Sequence, residues 1–162
     1  MVPRVQWPAG VILVLVLVLA GPVTAGGRQK VTITMGEDLP RMYFRPARVT
    51  LQAGVEAEIV LVNRGKVTHE FMVYAPPRPG TSREALHRWA EETNYFRGVE
   101  VKVEGGGVEV EAKDVLEVEV AAGKSAEVKF TPRRTGTFEM ACLIKDQVDH
   151  YEAGMKGTLV VR

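Results

Sequence analysis

Short runs that alternate apolar with polar residues recur along most of the chain. Val31-Thr32-Ile33-Thr34, Arg48-Val49-Thr50-Leu51, Glu58-Ile59-Val60-Leu61-Val62, Phe71-Met72-Val73-Tyr74, Leu116-Glu117-Val118-Glu119-Val120, Glu127-Val128-Lys129-Phe130 and Thr158-Leu159-Val160-Val161 are rich in β-branched residues and mostly of period two, which predicts strands. Turn chemistry lies between them at Ala53-Gly54, Asn63-Arg64-Gly65, Ala122-Gly123-Lys124 and Thr135-Gly136, at the close spacing of an antiparallel sandwich or barrel. Parallel α/β architecture has no support in this pattern. One helix is expected, capped by Ser82 and running to about Tyr95, with Leu86, Trp89 and Ala90 at helical spacing and Gly98 as its stop. Pro76-Pro77-Arg78-Pro79-Gly80 precedes it, and prolines in series cannot join a hydrogen-bonded ladder, so 76–98 is an excursion from the sheets. The acids Glu100, Glu104, Glu109, Glu111, Asp114, Glu117 and Glu119 read as a solvated strand face, with a partner-docking patch as the alternative.

Residues 1–25 read as an address rather than as part of the fold. Arg4 supplies a positive start, Val11 to Ala20 is an unbroken apolar run, and Val23-Thr24-Ala25 offers the small residues of a cleavage site, so removal after Ala25 is expected. The alternative is an uncleaved N-terminal anchor, the one way in which this reading would involve a membrane. Residues 26–162 then form a single domain by size. With 21 basic and 20 acidic residues the chain carries no basic excess of the kind that nucleic acid requires. One cysteine, Cys142, excludes an internal disulfide and any metal centre needing two thiolates. An unpaired thiol is a liability in the oxidising surroundings of an exported chain, which makes Cys142 the first residue to explain.

Alternation places Phe138, Met140 and Cys142 on one face of their strand, and His69, Phe71 and Val73 on one face of another. A thiol and an imidazole are thus sent to the core side of two strands, each where a strand meets a loop. His150 and Met155 follow Cys142 on the next loop. Two imidazoles and a thiolate with a weak axial thioether form the ligand combination of a blue-copper electron-transfer site. Zinc accepts the same three strong donors, but a soft methionine as fourth favours copper. Taken singly, each residue has a plainer role: buried cysteine is a small hydrophobe, a histidine at a strand end is hydrogen-bonded, methionine is filler. The order and spacing of the four are what point to a metal. His87 lies in the expected helix and reads as a surface residue, while Met35, Met42, Met72 and Met140 read as packing.

Met42-Tyr43-Phe44-Arg45-Pro46-Ala47-Arg48-Val49-Thr50-Leu51-Gln52-Ala53-Gly54, then Val62-Asn63-Arg64-Gly65 leading to His69-Glu70-Phe71, resembles the N-terminal half of the cupredoxins, the plastocyanin and azurin superfamily of small exported blue-copper proteins. His150-Tyr151-Glu152-Ala153-Gly154-Met155-Lys156-Gly157 resembles that family's ligand loop and last strand. The similar segments cover about 31–74 and 125–162. The resemblance implies an all-β, Greek-key β-sandwich with one helical excursion, and one copper ion, Cu(I) or Cu(II), held by His69, Cys142, His150 and Met155. It implies electron transfer through a partly exposed edge of His150, with redox partners such as cytochromes or respiratory complexes. Two departures stand out. Seven residues, 143–149, separate Cys142 from His150, more than in most members, though copper nitrite reductases carry a comparable loop, and Asp146 or Asp149 in it offers a competing oxygen ligand. Glu70 replaces the asparagine that commonly pins the ligand loop.

The leading expectation is a monomeric, exported single-electron carrier, periplasmic or otherwise extracytoplasmic. The alternative is a copper-binding or copper-delivery protein that uses the same pocket without redox turnover. A metal-free sandwich used in adhesion or assembly is a third class. An enzyme is not expected, because copper oxidases and nitrite reductases need further copper sites and the chain has no second histidine cluster.

Overall fold

A computed structural model describes residues 27–162, so the expected signal segment 1–25 lies outside the described residues. Among the described residues the strands are β1 (Gln29–Asp38), β2 (Arg41–Arg45), β3 (Arg48–Leu51), β4 (Ala57–Asn63), β5 (His69–Tyr74), β6 (Glu100–Gly105), β7 (Val108–Lys113), β8 (Val118–Val120), β9 (Ser125–Phe130), β10 (Gly136–Ala141) and β11 (Lys156–Val161), with one helix, α1 (Arg83–Glu92). They form two sheets, ordered β2-β1-β4-β9-β6-β7 and β3-β11-β10-β5-β8. The sheets enclose one apolar core that includes Ile33, Met35, Phe44, Ile59, Leu61, Phe71, Val128, Met140 and Leu159. The fold is an all-β sandwich with one helical excursion.

Strand alternation accounts for this core directly: Met42 and Phe44 of β2, Ile59 and Leu61 of β4, and Val128 and Phe130 of β9 are buried at every second position. Strand direction departs from expectation. Two pairs are parallel, β1 with β4 and β3 with β11. After β2 the chain crosses to the other sheet for β3 and returns beside β1 as β4, so β1 and β4 point the same way. Period two reveals a strand but not the heading of its neighbour.

The acidic stretch holds a hairpin, β6 and β7, that alternation with charged residues conceals. Its register pairs Glu104 with Glu109 and Lys102 with Glu111 around Gly106 and Gly107, both of which take positive φ. Lys102 sits 3.0 Å from Glu104 and 3.0 Å from Glu109, and Lys129 lies 2.9 Å from Glu104, so part of the acid is neutralised across strands.

Helix α1 begins as expected, with the Ser82 side chain accepting from the Ala85 backbone N–H, but it ends at Glu92 rather than near Tyr95. The chain turns there because Tyr95 and Phe96, both 0 % exposed, are inserted in the main core. Tyr95 packs edge-on at 4.6 Å from Phe138, and Phe96 at 5.1 Å from Phe130. α1 itself lies on the outer face of the second sheet, where Leu86 and Ala90 meet Met72, Tyr74, Ala141 and Leu143. Every residue of β5 is therefore buried, His69, Phe71 and Val73 inward and Glu70, Met72 and Tyr74 toward the outer face. His87 is exposed and lies 3.4 Å from Glu91, four residues on.

Gly157 marks where β11 passes closest to its neighbours. A Cβ there would stand 2.5 Å from the Ala47 carbonyl oxygen and 2.6 Å from the Met140 methyl. Gly157→Ala is expected to destabilise the domain by about 1–3 kcal/mol, the usual cost of overpacking. The midpoint of chemical denaturation measures it, and an unchanged midpoint would show that β11 can shift freely.

Candidate metal centre

β5 and β10 run antiparallel with Val73 opposite Met140 and Met72 opposite Ala141. The pairing direction carries the first residue of β5, His69, toward the segment that follows β10, and Cys142 is the residue immediately after that strand. The next turn of chain is held by its backbone: the His150 N–H donates to Ile144 at 3.1 Å, the Met155 N–H to His150 at 2.9 Å, and the Cys142 N–H to Met155 at 3.1 Å. Gly154 takes φ +98°, a conformation that a side chain would strain, and so delivers Met155 back to Cys142.

The result is a convergent donor set. Cys142 Sγ lies 3.2 Å from His150 Nδ1, and His150 Nδ1 lies 3.3 Å from His69 Nδ1. One donor atom from each of the three residues falls within 4.8 Å of the others, and all three side chains are 0 % exposed. Met155 is buried in the main core with Cys142, and its backbone is hydrogen-bonded to both Cys142 and His150. Of the four residues singled out in the sequence, the structure brings the donor atoms of His69, Cys142 and His150 together, and Met155 joins them through the backbone bonds.

Burial pushes the Cys142 thiol up to about 12, against backbone hydrogen bonds from Glu70 and Ile144 that favour the thiolate. Burial, then the neighbouring His150, lowers the His69 imidazole below its ordinary value. The Nε2 atoms of both histidines are buried without a hydrogen-bond partner. A metal held at the Nδ1 atoms would fix a proton on each Nε2 and make both nitrogens donors in need of an acceptor. A carboxylate oxygen stands near each of these nitrogens: Glu37 Oε1 at 3.7 Å from His69 and Asp146 Oδ1 at 3.5 Å from His150.

Three expectations need correction. His150 shows no partly exposed edge, being 0 % exposed, with Asp146 of the 143–149 loop 3.5 Å from its Nε2 and Lys145 bridged to Asp149. Asp149 does not compete as a ligand, since both its oxygens accept from Arg83 Nε, at 3.1 and 2.8 Å. Asp146 is likewise outside the donor trio; its Oδ1 accepts from the Val148 N–H at 2.9 Å.

Glu70 performs the pinning expected of an asparagine: its Oε1 accepts from the Leu143 N–H at 3.1 Å while its own N–H donates to Cys142 Sγ at 3.3 Å. Sequence reasoning missed Glu37 and Arg83. Glu37 accepts from the Lys66 N–H at 2.9 Å and the Val67 N–H at 3.1 Å, while Asn63 Nδ2 donates to the Val67 and Val120 carbonyls at 2.8 Å each, so the loop before His69 is tied from two sides. Nothing local distinguishes Glu37 from the other acids of the chain; only the fold across 30 residues does.

No protein-family model matches the chain. Over 121 residues it is 34 % identical to the copper-resistant cuproprotein CopI of Rubrivivax gelatinosus, an alignment covering 75 % of this chain and 61 % of that protein. It is 29 % identical over 149 residues to the copper-resistant cuproprotein CopI of Pseudomonas aeruginosa, covering 85 % of this chain and 78 % of the relative. Among solved structures, auracyanin B superposes with a TM-score of 0.52 at 23 % identity, covering 83 % of this chain and 88 % of that one. The McoA multicopper oxidase of Aquifex aeolicus reaches 0.57 at 15 % identity, covering 88 % of this chain but only 31 % of the oxidase. The fold is that of the cupredoxins.

Burial also pushes the Glu70 carboxyl up to about 7, against the Leu143 hydrogen bond. A carboxyl whose folded value is raised stabilises the fold most below its unfolded value near 4.5, and that contribution is lost as pH rises through about 7. Glu70→Gln keeps an acceptor for Leu143 and removes the charge. The variant is expected to flatten the stability profile of the metal-free protein between these pH values and to be more stable than the parent at pH 8 by on the order of 2 kcal/mol. Parallel pH profiles for the two proteins in urea denaturation would refute it.

Proposed function

We propose that the protein binds one copper ion that His69 Nδ1, His150 Nδ1 and Cys142 Sγ would hold, with the Met155 thioether as a weak fourth donor, and serves copper tolerance outside the cytoplasm as a one-electron redox protein. The observation that carries the reading is the convergence of one donor atom each from His69, Cys142 and His150, all three fully buried. A soft thiolate and thioether beside two imidazoles suit copper above the other first-row ions, and the relatives named as copper-resistant cuproproteins agree with that choice.

Each side chain has a distinct task. Cys142, whose buried thiol favours the neutral form, would hold the ion as a thiolate, and a thiolate tied up in this way would let an exported chain keep a single thiol. His69 is fixed by β5 and by the loop that Glu37 and Asn63 tie, and Cys142 by the end of β10, so the donors need move little between charge states. Copper would supply the one-electron change, and the chain supplies orientation and exclusion of water. No bond-making step belongs to this reading. The expected partners are redox proteins such as cytochromes or respiratory complexes, met by a monomer.

A second reading, copper binding or delivery without turnover, is favoured by the burial of His150, which leaves no imidazole edge on the surface. Copper(II) added to the purified mature protein should give intense visible absorption from thiolate-to-copper charge transfer, with a matching electron paramagnetic resonance signal, and Cys142→Ser should abolish both. Tight binding without colour would move the assignment to the second reading. Comparing copper(I) transfer to an acceptor with electron transfer to a cytochrome separates the two. If neither holds and the protein is a metal-free sandwich, copper will leave its melting temperature unchanged, because only a ligand of the folded state raises stability.

A further inference from the structure

The segment between β5 and β6 has no counterpart in the residues that resemble the cupredoxins, and its most polar contact points at the metal centre. Arg83, the first residue of α1, reaches the loop between Cys142 and His150 at both ends. Its Nη2 donates to the Leu143 carbonyl at 2.9 Å, one residue after Cys142, and its Nε donates to the Asp149 carboxylate at 2.8 Å, one residue before His150. Both partners of the ion pair are largely buried, with 18 % and 14 % of their side chains exposed.

The loop is also gripped on its apolar side. Leu143 packs with Leu86, Ala90 and Met72 under the helix, and Tyr151, just beyond His150, packs against the same cluster. The Tyr151 hydroxyl donates to Glu139 at 3.1 Å, an acceptor it shares with Tyr74 at 2.8 Å. At its root the excursion is anchored by Trp89 Nε1, which donates to the Ala75 carbonyl at 2.9 Å.

We propose that the excursion is a brace for the ligand loop, and that Arg83 is a positioning residue that fixes the span between Cys142 and His150. A longer loop costs more entropy to close, and seven intervening residues leave His150 less constrained by its own chain than a shorter loop would. One planar guanidinium bonded at both ends removes that freedom. Lysine carries the charge but is a compact point donor, without the fixed fork that lets arginine hold a carbonyl and a carboxylate in one geometry. The brace is a property of the folded chain, while its effect on copper rests on the function proposed above.

The test uses Arg83→Met, Arg83→Lys and Asp149→Asn, with His87→Ala on the exposed side of α1 as the control. In the metal-free proteins, hydrogen exchange at the Leu143 and His150 amides should quicken at least tenfold in the first three variants and stay unchanged in His87→Ala, with Ile59 in β4 unaffected throughout. Copper affinity should fall about 10–100-fold in the same three, the usual loss when a group orienting a ligand is removed. Their charge-transfer band should shift as well. Asp149→Asn changes little volume and keeps the test decisive if Arg83→Met fails to fold. Unchanged exchange at Leu143 and His150, or full recovery by lysine, overturns the brace. A parent protein that takes up no copper defeats the functional reading, and the exchange measurements on metal-free protein then still decide the brace.

Discussion

The antiparallel pairing of β5 with β10 is the constraint on which the candidate centre depends. It sets Val73 opposite Met140 and thereby brings the residue before Glu70 and the residue after Ala141 to the same end of the sandwich. The alternation of side chains means that slipping either strand by one residue would send its donor to the opposite face. The register is defended by the apolar neighbours on each side: Phe71 and Val73 in β5 and Met140 in β10 are all 0 % exposed and would have to leave the core together. The packing that makes the sandwich stable is thus the same packing that aims a thiol and an imidazole at one point.

Burial of both faces of β5 adds a second layer to this arrangement. Its inner face carries His69, and its outer face carries Glu70, whose carboxylate reaches Leu143 in the ligand loop. Adjacent residues of one strand therefore serve the centre from opposite sides, one through its ring and one through the loop backbone. Taking the Glu70 carboxyl and the Cys142 thiol out of water costs free energy in the metal-free chain, visible in the raised values of both groups. Such groups persist in a fold where something else makes use of them, and in this one they sit at a common ligand loop.

The sandwich was legible in the sequence because half-buried strands write period two into the chain, and the converging donor trio could be picked out because its residue types are scarce: one cysteine and three histidines. Scarcity made the coincidence of His69, Cys142 and His150 informative before any contact was known. The acidic stretch read as a solvated strand face, but its division into the β6–β7 hairpin was not legible, since charged residues occupy much of it and its lysine partners are supplied partly from β9. The parallel pairs were hidden because direction belongs to the crossovers, not to the strands. Arg83 and Glu37 were hidden for a different reason. Each acts on backbone or side-chain atoms far along the chain, across 60 residues for Arg83 with Leu143, and an arginine at a helix start looks like any solvated one until the fold supplies its acceptor. The burial of His150 follows from the same loop geometry and could not be read from loop length.

That burial acts differently on an electron and on an ion. An electron reaching the donor trio needs only a short enough distance through protein, so a closed imidazole edge lengthens the path without blocking it. An ion needs an opening, and the 143–149 segment beside the trio is held by the Ile144 to His150 hydrogen bond, by Glu70 and by Arg83. Local openings cost more as more buried contacts must break together, so these ties slow exchange of a bound ion. A redox protein gains from such retention, because its cofactor must survive many turnovers. A delivery protein gains only if an acceptor can loosen the loop, and the accessible parts of that loop are the exposed Lys145, Asp146, Gln147 and Val148. The two readings thus differ in what they require of the same seven residues: to stay shut, or to be opened from outside.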